Sequence, residues 1–199
     1  MRIKTERAEK KSYHHGDLAS VLVKIGRTML ERDGLRQFSL RALAREAGVS
    51  NAAPLHHFRN ADELFSACAA QGFRDLSATL EQLSSNQAVD DVCAMADAYL
   101  NFAIHNPTVF QLMFDRKALP SPSAEFRTEA SRAYNLLADA IRALGQVDEK
   151  TFDRRINAIW SLMHGFAVLE LADQICRSDG NSASTSSMLN SAVRALATG

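Results

Sequence analysis

The segment Ser39–Phe58, SLRALAREAGVSNAAPLHHF, limits the possible fold more tightly than any other part of the chain. Ser39 can cap a helix, because its hydroxyl accepts a bond from a free amide of the first turn. Leu40, Leu43, Ala44 and Ala47 then recur at helical spacing and give a short helix with one apolar face. Gly48 follows, the residue that ends a helix at positive φ without steric cost. Val49 and the cap-type Ser50 lead into a second short helix, expected over Asn51–Phe58. Two short helices about a glycine-centred turn are either a plain hairpin in an all-α core or a helix-turn-helix, whose second helix enters the DNA major groove. The second helix has only Leu55 and Phe58 as large apolar residues, which favours the groove-binding form. Arg41, Arg45, Asn51, His56, His57 and Arg59 can reach phosphates or base edges. Ala52 and Ala53 would let the helix approach thymine methyls.

The formal net charge is zero, but its distribution is uneven. Residues 1–60 hold twelve Lys/Arg against six Asp/Glu, a balance of +6, and residues 61–199 hold eleven against seventeen, a balance of −6. A basic head on an acidic body supplies the local attraction that DNA binding requires. Residues 1–12 are basic with little to bury and are expected to be a mobile arm, either reaching the DNA backbone or simply solvated. Cys68, Cys93 and Cys176 are far apart and odd in number, which argues against a disulfide framework or zinc site and suits the cytoplasm. The N-terminus is charged and carries no secretory signal. The apolar, uncharged run Ile156–Leu169 has fourteen residues, too few to span a bilayer.

Outside the paired helices and the loops at Leu119–Ser123 and Ser178–Ser187, the chain has helical periodicity. Asp17 to Asp33 is expected to form a supporting helix closed by Gly34. Further helices are expected from Asp62 to Leu83, Val89 to His105, Thr108 to Asp115 and Ala124 to Leu144. Phe152–Cys176 is long and apolar, and Met188–Ala197 is the last helix. No segment alternates as a strand would, so the chain is expected to be all-α. Met95, Tyr99, Phe102, Phe110, Met113, Trp160, Met163 and His164 supply aromatic and thioether surface from several helices. They form either plain core or the lining of a cavity for an apolar or aromatic ligand. Gly165, in the middle of a helix, suggests a close approach of another helix or a ligand.

These motifs resemble the TetR family of one-component transcriptional regulators. The resemblance lies in YHHGDL at Tyr13–Leu18, the Gly34 break, SLRALAREAGVS at Ser39–Ser50, HHF at His56–Phe58 and DEL at Asp62–Leu64. WSLMHG at Trp160–Gly165 resembles the Trp/His-Gly signature of one C-terminal subgroup. The resemblance implies a helix-turn-helix DNA-binding head at 13–60, behind the basic arm at 1–12, and a helical-bundle ligand-binding and dimerisation body at 61–199. It implies operator DNA, a small-molecule effector and a second copy of the chain as partners, with no membrane and no cofactor. Phosphate contacts at Tyr13, Ser39 and Ser50 belong to the same expectation. Phe152–Cys176 and Met188–Ala197 hold more apolar surface than one core requires and are expected to form the dimer interface. Two alternatives differ in class. One is a protein-interaction module with weakened DNA binding, and the other is an enzyme with metal held by His14, His15, His56 and His57. No nucleophile elbow, phosphate-binding glycine loop or H-E-x-x-H helix supports the enzyme.

The chain departs from the family pattern at Leu55 and Ala61, where relatives commonly carry Tyr and Lys. Ala61→Lys should steepen log K against log[salt] by about 0.9 per subunit, on specific and random DNA alike. Leu55→Tyr should tighten binding with almost no change of slope. Salt titrations by fluorescence anisotropy distinguish the two. An unchanged affinity and slope for Ala61→Lys would mean that this chain docks on DNA differently from the family it resembles.

Overall fold

Leu22, Gly26, Met29 and Leu30 fall on one face of α1 (Leu18–Asp33), and that buried face is the platform for the rest of the N-terminal unit. A computed structural model describes residues 18–83, 87–175 and 184–198, and among these every regular element is a helix. The basic arm, Tyr13, the His14-His15 pair, the expected Asp17 cap and Cys176 lie outside the described residues. Gly34, at φ 75°, turns the chain away from α1. α2 (Leu40–Glu46) starts at Ser39, whose hydroxyl accepts the Ala42 amide at 3.2 Å. It buries Leu43 and Ala44 against the platform. Arg32 clamps α1 to α2 by bonding both Asp33 and Glu46 on the surface.

α3 (Ala61–Leu80) spans about 30 Å at helical rise and belongs to both halves of the molecule. Asn60 caps it through the Glu63 amide at 3.0 Å, and the Glu63 carboxylate returns to the Arg59 amide at 2.9 Å. Its N-terminal half packs on α1, with Leu64 against Gly26, and Phe65 meets Phe38 edge-on at 5.1 Å. Its C-terminal half packs on α5 (Pro107–Phe114) and, most extensively, on α6 (Ala124–Arg142). The helix ends at Leu80 rather than at the expected Leu83, because Gln82 and Leu83 bond back only three residues.

α4 (Ala88–His105), α7 (Glu149–Leu171) and α8 (Thr185–Thr198) complete the body, with α8 laid across α4 and α7. α7 begins earlier than Phe152, because Asp148 caps it through Thr151. It stops at Leu171, well short of Cys176, through a left-handed Asp173 (φ 51°) and a Gln174 amide bonded to the Leu169 carbonyl at 2.8 Å. That stop lacks the glycine that usually announces it. A single apolar cluster runs from Leu22 in α1 to Val193 in α8, so a displaced body helix meets packed atoms in every direction that leads to the head.

Gly72 is where α3 and α5 come closest. A Cβ there would lie 2.8 Å from Val109 Cγ1 and 2.9 Å from Met113 Sδ. Gly72→Ala should therefore destabilise the fold by about 1–3 kcal/mol of overpacking, less the roughly 1 kcal/mol gained in helix propensity. The check is the urea midpoint at constant m; a midpoint that rises would show that α5 yields freely.

Candidate DNA-binding surface and ligand cavity

The turn after α2 is closed by paired bonds, Val49 amide to Ala44 carbonyl at 3.0 Å and Gly48 amide to Arg45 carbonyl at 3.2 Å, with Gly48 at φ 68°. Only a residue tolerant of positive φ closes a helix in this way. The segment beyond it differs from the expected α-helix over Asn51–Phe58. It winds through turns at Asn51–Ala53 and a single 3-10 turn at Pro54–His56. Pro54 explains the difference, since it has no amide to give the Ser50 carbonyl, and Ser50 bonds the Ala53 amide instead at 3.0 Å. Pro54 and Phe58 are buried and anchor the winding to the head.

This geometry presents one polar face. Ser39, Arg41, Ser50, Asn51, Ala52, His56, His57 and Arg59 are exposed, and Ala53 is half-buried. Arg41, Arg45, Val49, Ser50 and Asn51 together line one concavity. Arg59 faces Glu63 at 3.5 Å, which leaves it less free than Arg41 or Arg45 to meet phosphate. Leu55, 54% exposed, stands among these polar groups. Tyr13 cannot be placed with them because it lies outside the described residues.

The second site is a cavity of ≈ 550 Å³ in the body. Of the residues expected to line one, Met95, Tyr99, Met113, Trp160 and Met163 do so. Phe110 and His164 stand behind Tyr99, with ring centroids at 5.5 and 6.4 Å from it. Phe102 does not line this cavity: two turns along α4 from Met95, it borders a shallow surface hollow with Asp97, Asn101 and His105. Sequence reasoning missed two walls: Phe73, Leu76 and Leu80 of α3, and Phe126, Arg127, Ala130, Ser131, Tyr134 and Leu137 of α6. Spacing from 126 to 137 shows a helical stripe, but nothing in it distinguishes a cavity wall from packed core.

Tyr99 Oη lies 2.8 Å from His164 Nδ1, and the Trp160 indole N–H acts on the same hydroxyl to lower its pKa. With Tyr99 donating to Nδ1, the neutral His164 carries its proton on Nε2. Burial pushes the Tyr99 hydroxyl far up, so it stays protonated. Burial among Tyr99, Phe110, Phe114 and Trp160 lowers the His164 pKa and keeps the imidazole neutral. Cys68, also buried, has its thiol pushed up to about 12 and offers no thiolate. Gly165 does not mark a close approach within the chain, as a Cβ there would meet nothing within 4 Å. Among the described residues no group of three His, Cys, Asp or Glu could hold a metal ion, and no helix is long and apolar enough to cross a membrane.

With its folded pKa below the ordinary value of about 6.5, His164 binds fewer protons folded than unfolded in the window between those two values. Its contribution is present above pH ~6.5 and is lost as pH falls below it. The stability difference between wild type and His164→Gln should therefore shrink as pH drops from 7 to 5, measured by urea denaturation at each pH. A difference independent of pH would show that His164 is solvated.

Residues 92–196 match the family described as tetracyclin repressor-like, C-terminal domain, and residues 22–68 match the bacterial regulatory proteins of the tetR family. The chain is 27% identical over 145 residues to an uncharacterized HTH-type transcriptional regulator of Mycobacterium tuberculosis (strain ATCC 25618 / H37Rv), a match covering 72% of the chain and 66% of the relative. It thus spans just under two thirds of that regulator's length. Among solved structures, a protein with unknown function from Rhodococcus sp. RHA1 is similar at 30% identity, covering 94% of this chain and 97% of that one, with a TM-score of 0.79. The TetR family transcriptional regulator PfmR from Thermus thermophilus shares the fold at 18% identity, with 88% and 96% covered and a TM-score of 0.61. With more than half of its residues matched by the C-terminal family and a helix-turn-helix matched at the other end, the chain belongs to the TetR family of transcriptional regulators, which are DNA-binding proteins and not enzymes.

Proposed function

We propose that this chain is a ligand-responsive repressor in the cytoplasm. Two copies hold a near-palindromic operator, and a small apolar or aromatic molecule filling the cavity releases it. The DNA-binding head is residues 13–60 behind a basic arm at 1–12, and residues 61–199 bind the ligand and dimerise. Of the Trp/His-Gly pattern, Trp160 lines the cavity and His164 stands behind Tyr99, in keeping with the subgroup it resembles.

The observation that carries the proposal is that α5 serves both sites. Leu112, Met113 and Phe114 line the cavity. At the other end of the same helix the Thr108 and Val109 amides donate to the Glu31 carboxylate of α1, at 2.9 and 2.8 Å. A ligand that shifts α5 therefore acts on the helix that supports the DNA-binding turn. Arg27 of α1 adds bonds to Asp75 of α3 and, at 3.4 Å, to Asn106. Linkage then requires that operator DNA lower ligand affinity by the factor by which ligand lowers operator affinity.

Exposed apolar residues support dimerisation through α7 and α8: Val168, Leu169 and Leu171 on the first, Leu196 on the second. Gly165 lies one turn before Val168 and Leu169, on the same face and with open space above it. A two-fold pair would place the heads one helical turn of DNA apart, about 34–36 Å, or a multiple of it.

Footprinting over the DNA upstream of the protein's own coding region tests the proposal, with a near-palindromic protected site as the expected result. Gly165→Arg should convert the dimer to a monomer by sedimentation while leaving helix content intact, and should abolish the footprint. A variant that stays dimeric moves the interface elsewhere. A wild type that is monomeric with operator at micromolar concentration overturns the dimer. Failure to bind any upstream DNA would favour a protein-interaction role centred on exposed Leu55.

A further inference from the structure

Two arginines at the cavity indicate what kind of molecule it takes. Phe73, Leu76, Leu80, Met95 and Leu137 make the interior apolar, and the Tyr99 hydroxyl is already bonded to His164. Charge enters the lining only at Asp115, Arg116 and Arg127. Asp115 Oδ1 accepts the Lys117 amide at 2.8 Å and the Ala118 amide at 3.3 Å, which fixes the carboxylate in its own turn with its charge intact, so the two arginines leave the lining positive by one. Both arginines are exposed, and among the described residues neither has a carboxylate within ion-pair distance. That separates them from Arg27, Arg32, Arg74, Arg132 and Arg194, each of which is paired. Both stand on fixed backbone. Arg116 follows the Asp115-capped turn, and Arg127 donates to the Pro122 carbonyl at 2.6 Å, which spends one of its five donors. Ser131 and Tyr134, exposed on the same stripe of α6, add hydroxyls beside them.

We infer that the effector is an organic monoanion, an apolar body ending in a carboxylate. The body lies among the aromatic and methionine side chains, and the carboxylate meets Arg116 and Arg127 at the cavity's exposed end. This deepens the repressor proposal by naming its ligand class, and it rests on that cavity being the effector site. A volume of ≈ 550 Å³ lies within the ordinary range for small-molecule sites, about 300–1,000 Å³. Guanidinium groups recognise carboxylates through paired, charge-assisted hydrogen bonds. A neutral oxygen would accept only weaker, unpaired bonds from them, and a cation would be repelled.

Trp160, the sole tryptophan of the chain, lines the cavity, so its fluorescence reports occupancy directly. Decanoate, 1-decanol and decylamine share one body and differ in head group; 6-phenylhexanoate and 6-phenylhexan-1-ol repeat the comparison with an aromatic end. The expected result is that the carboxylate of at least one pair binds about tenfold or more tighter than its alcohol, with decylamine weaker than decanol. Arg116→Gln combined with Arg127→Gln should bring the carboxylate down to the level of the alcohol and leave the alcohol unchanged, which also reports an intact cavity. Arg132→Gln, an equal loss of charge on the same helix outside the lining, should leave the preference in place. Alcohols that match the carboxylates in both pairs would overturn the inference. So would a preference that survives the double variant, or one that falls as far in Arg132→Gln. Displacement of upstream DNA by the preferred carboxylate tests the repressor proposal separately: anion-selective binding without displacement leaves the ligand class standing and removes the coupling.

Discussion

Glu31 holds the two halves of this regulator in register. Pro107 opens α5 without an amide, and the next two amides, of Thr108 and Val109, both donate to the Glu31 carboxylate. A carboxylate at a helix N-terminus satisfies donors that have no partner inside the helix and meets the positive end of its dipole. Here the carboxylate comes from α1, far earlier in the chain. The cap therefore welds the support of the DNA-binding turn to the wall of the cavity. Gly72 makes the weld tight, because the absence of a side chain lets Val109 and Met113 approach the α3 backbone.

The DNA-binding turn depends on a different constraint. Phe58 and Pro54 are buried while the residues between and around them stay exposed, so a segment of only one or two turns is fixed from beneath. Its backbone is wound more tightly than an α-helix because proline withholds an amide. The tighter winding changes which side chains share a face, since 3-10 neighbours eclipse at every third residue. Ser50, Asn51 and the arginines of α2 are drawn together on one concavity, and His56 and His57 lie beyond it.

The cavity owes its character to pairing. A buried phenol without a partner costs stability, and Tyr99 has one in His164. Their bond takes the Tyr99 hydroxyl out of the groups a ligand could satisfy. The aromatic and thioether surface that remains is adaptable and apolar, and the charges that could orient a ligand lie at its exposed end.

The sequence alone determined the all-helical class, the glycine-centred turn, the family and five of the residues that line the cavity. Each depends on local chemistry: Ser39 caps through its own side chain, Gly48 closes a helix through its own φ, and helical spacing of Met95 with Tyr99 survives any tertiary arrangement. The tertiary structure decided what depends on neighbours distant in sequence. Phe102 carries the same apolar signal as Tyr99 and sits two turns along α4 from Met95, yet it borders a surface hollow, because the helices packed on α4 set how far along it the cavity extends. Gly165 suggested close packing, yet it faces open space, because a missing Cβ says nothing about what stands opposite. The α7 stop at Asp173 uses a residue whose left-handed conformation is set by the bonds closing around it. Glu31 carries no local signal either: an acidic residue near a helix end becomes a clamp only where the fold delivers two unpaired amides to it.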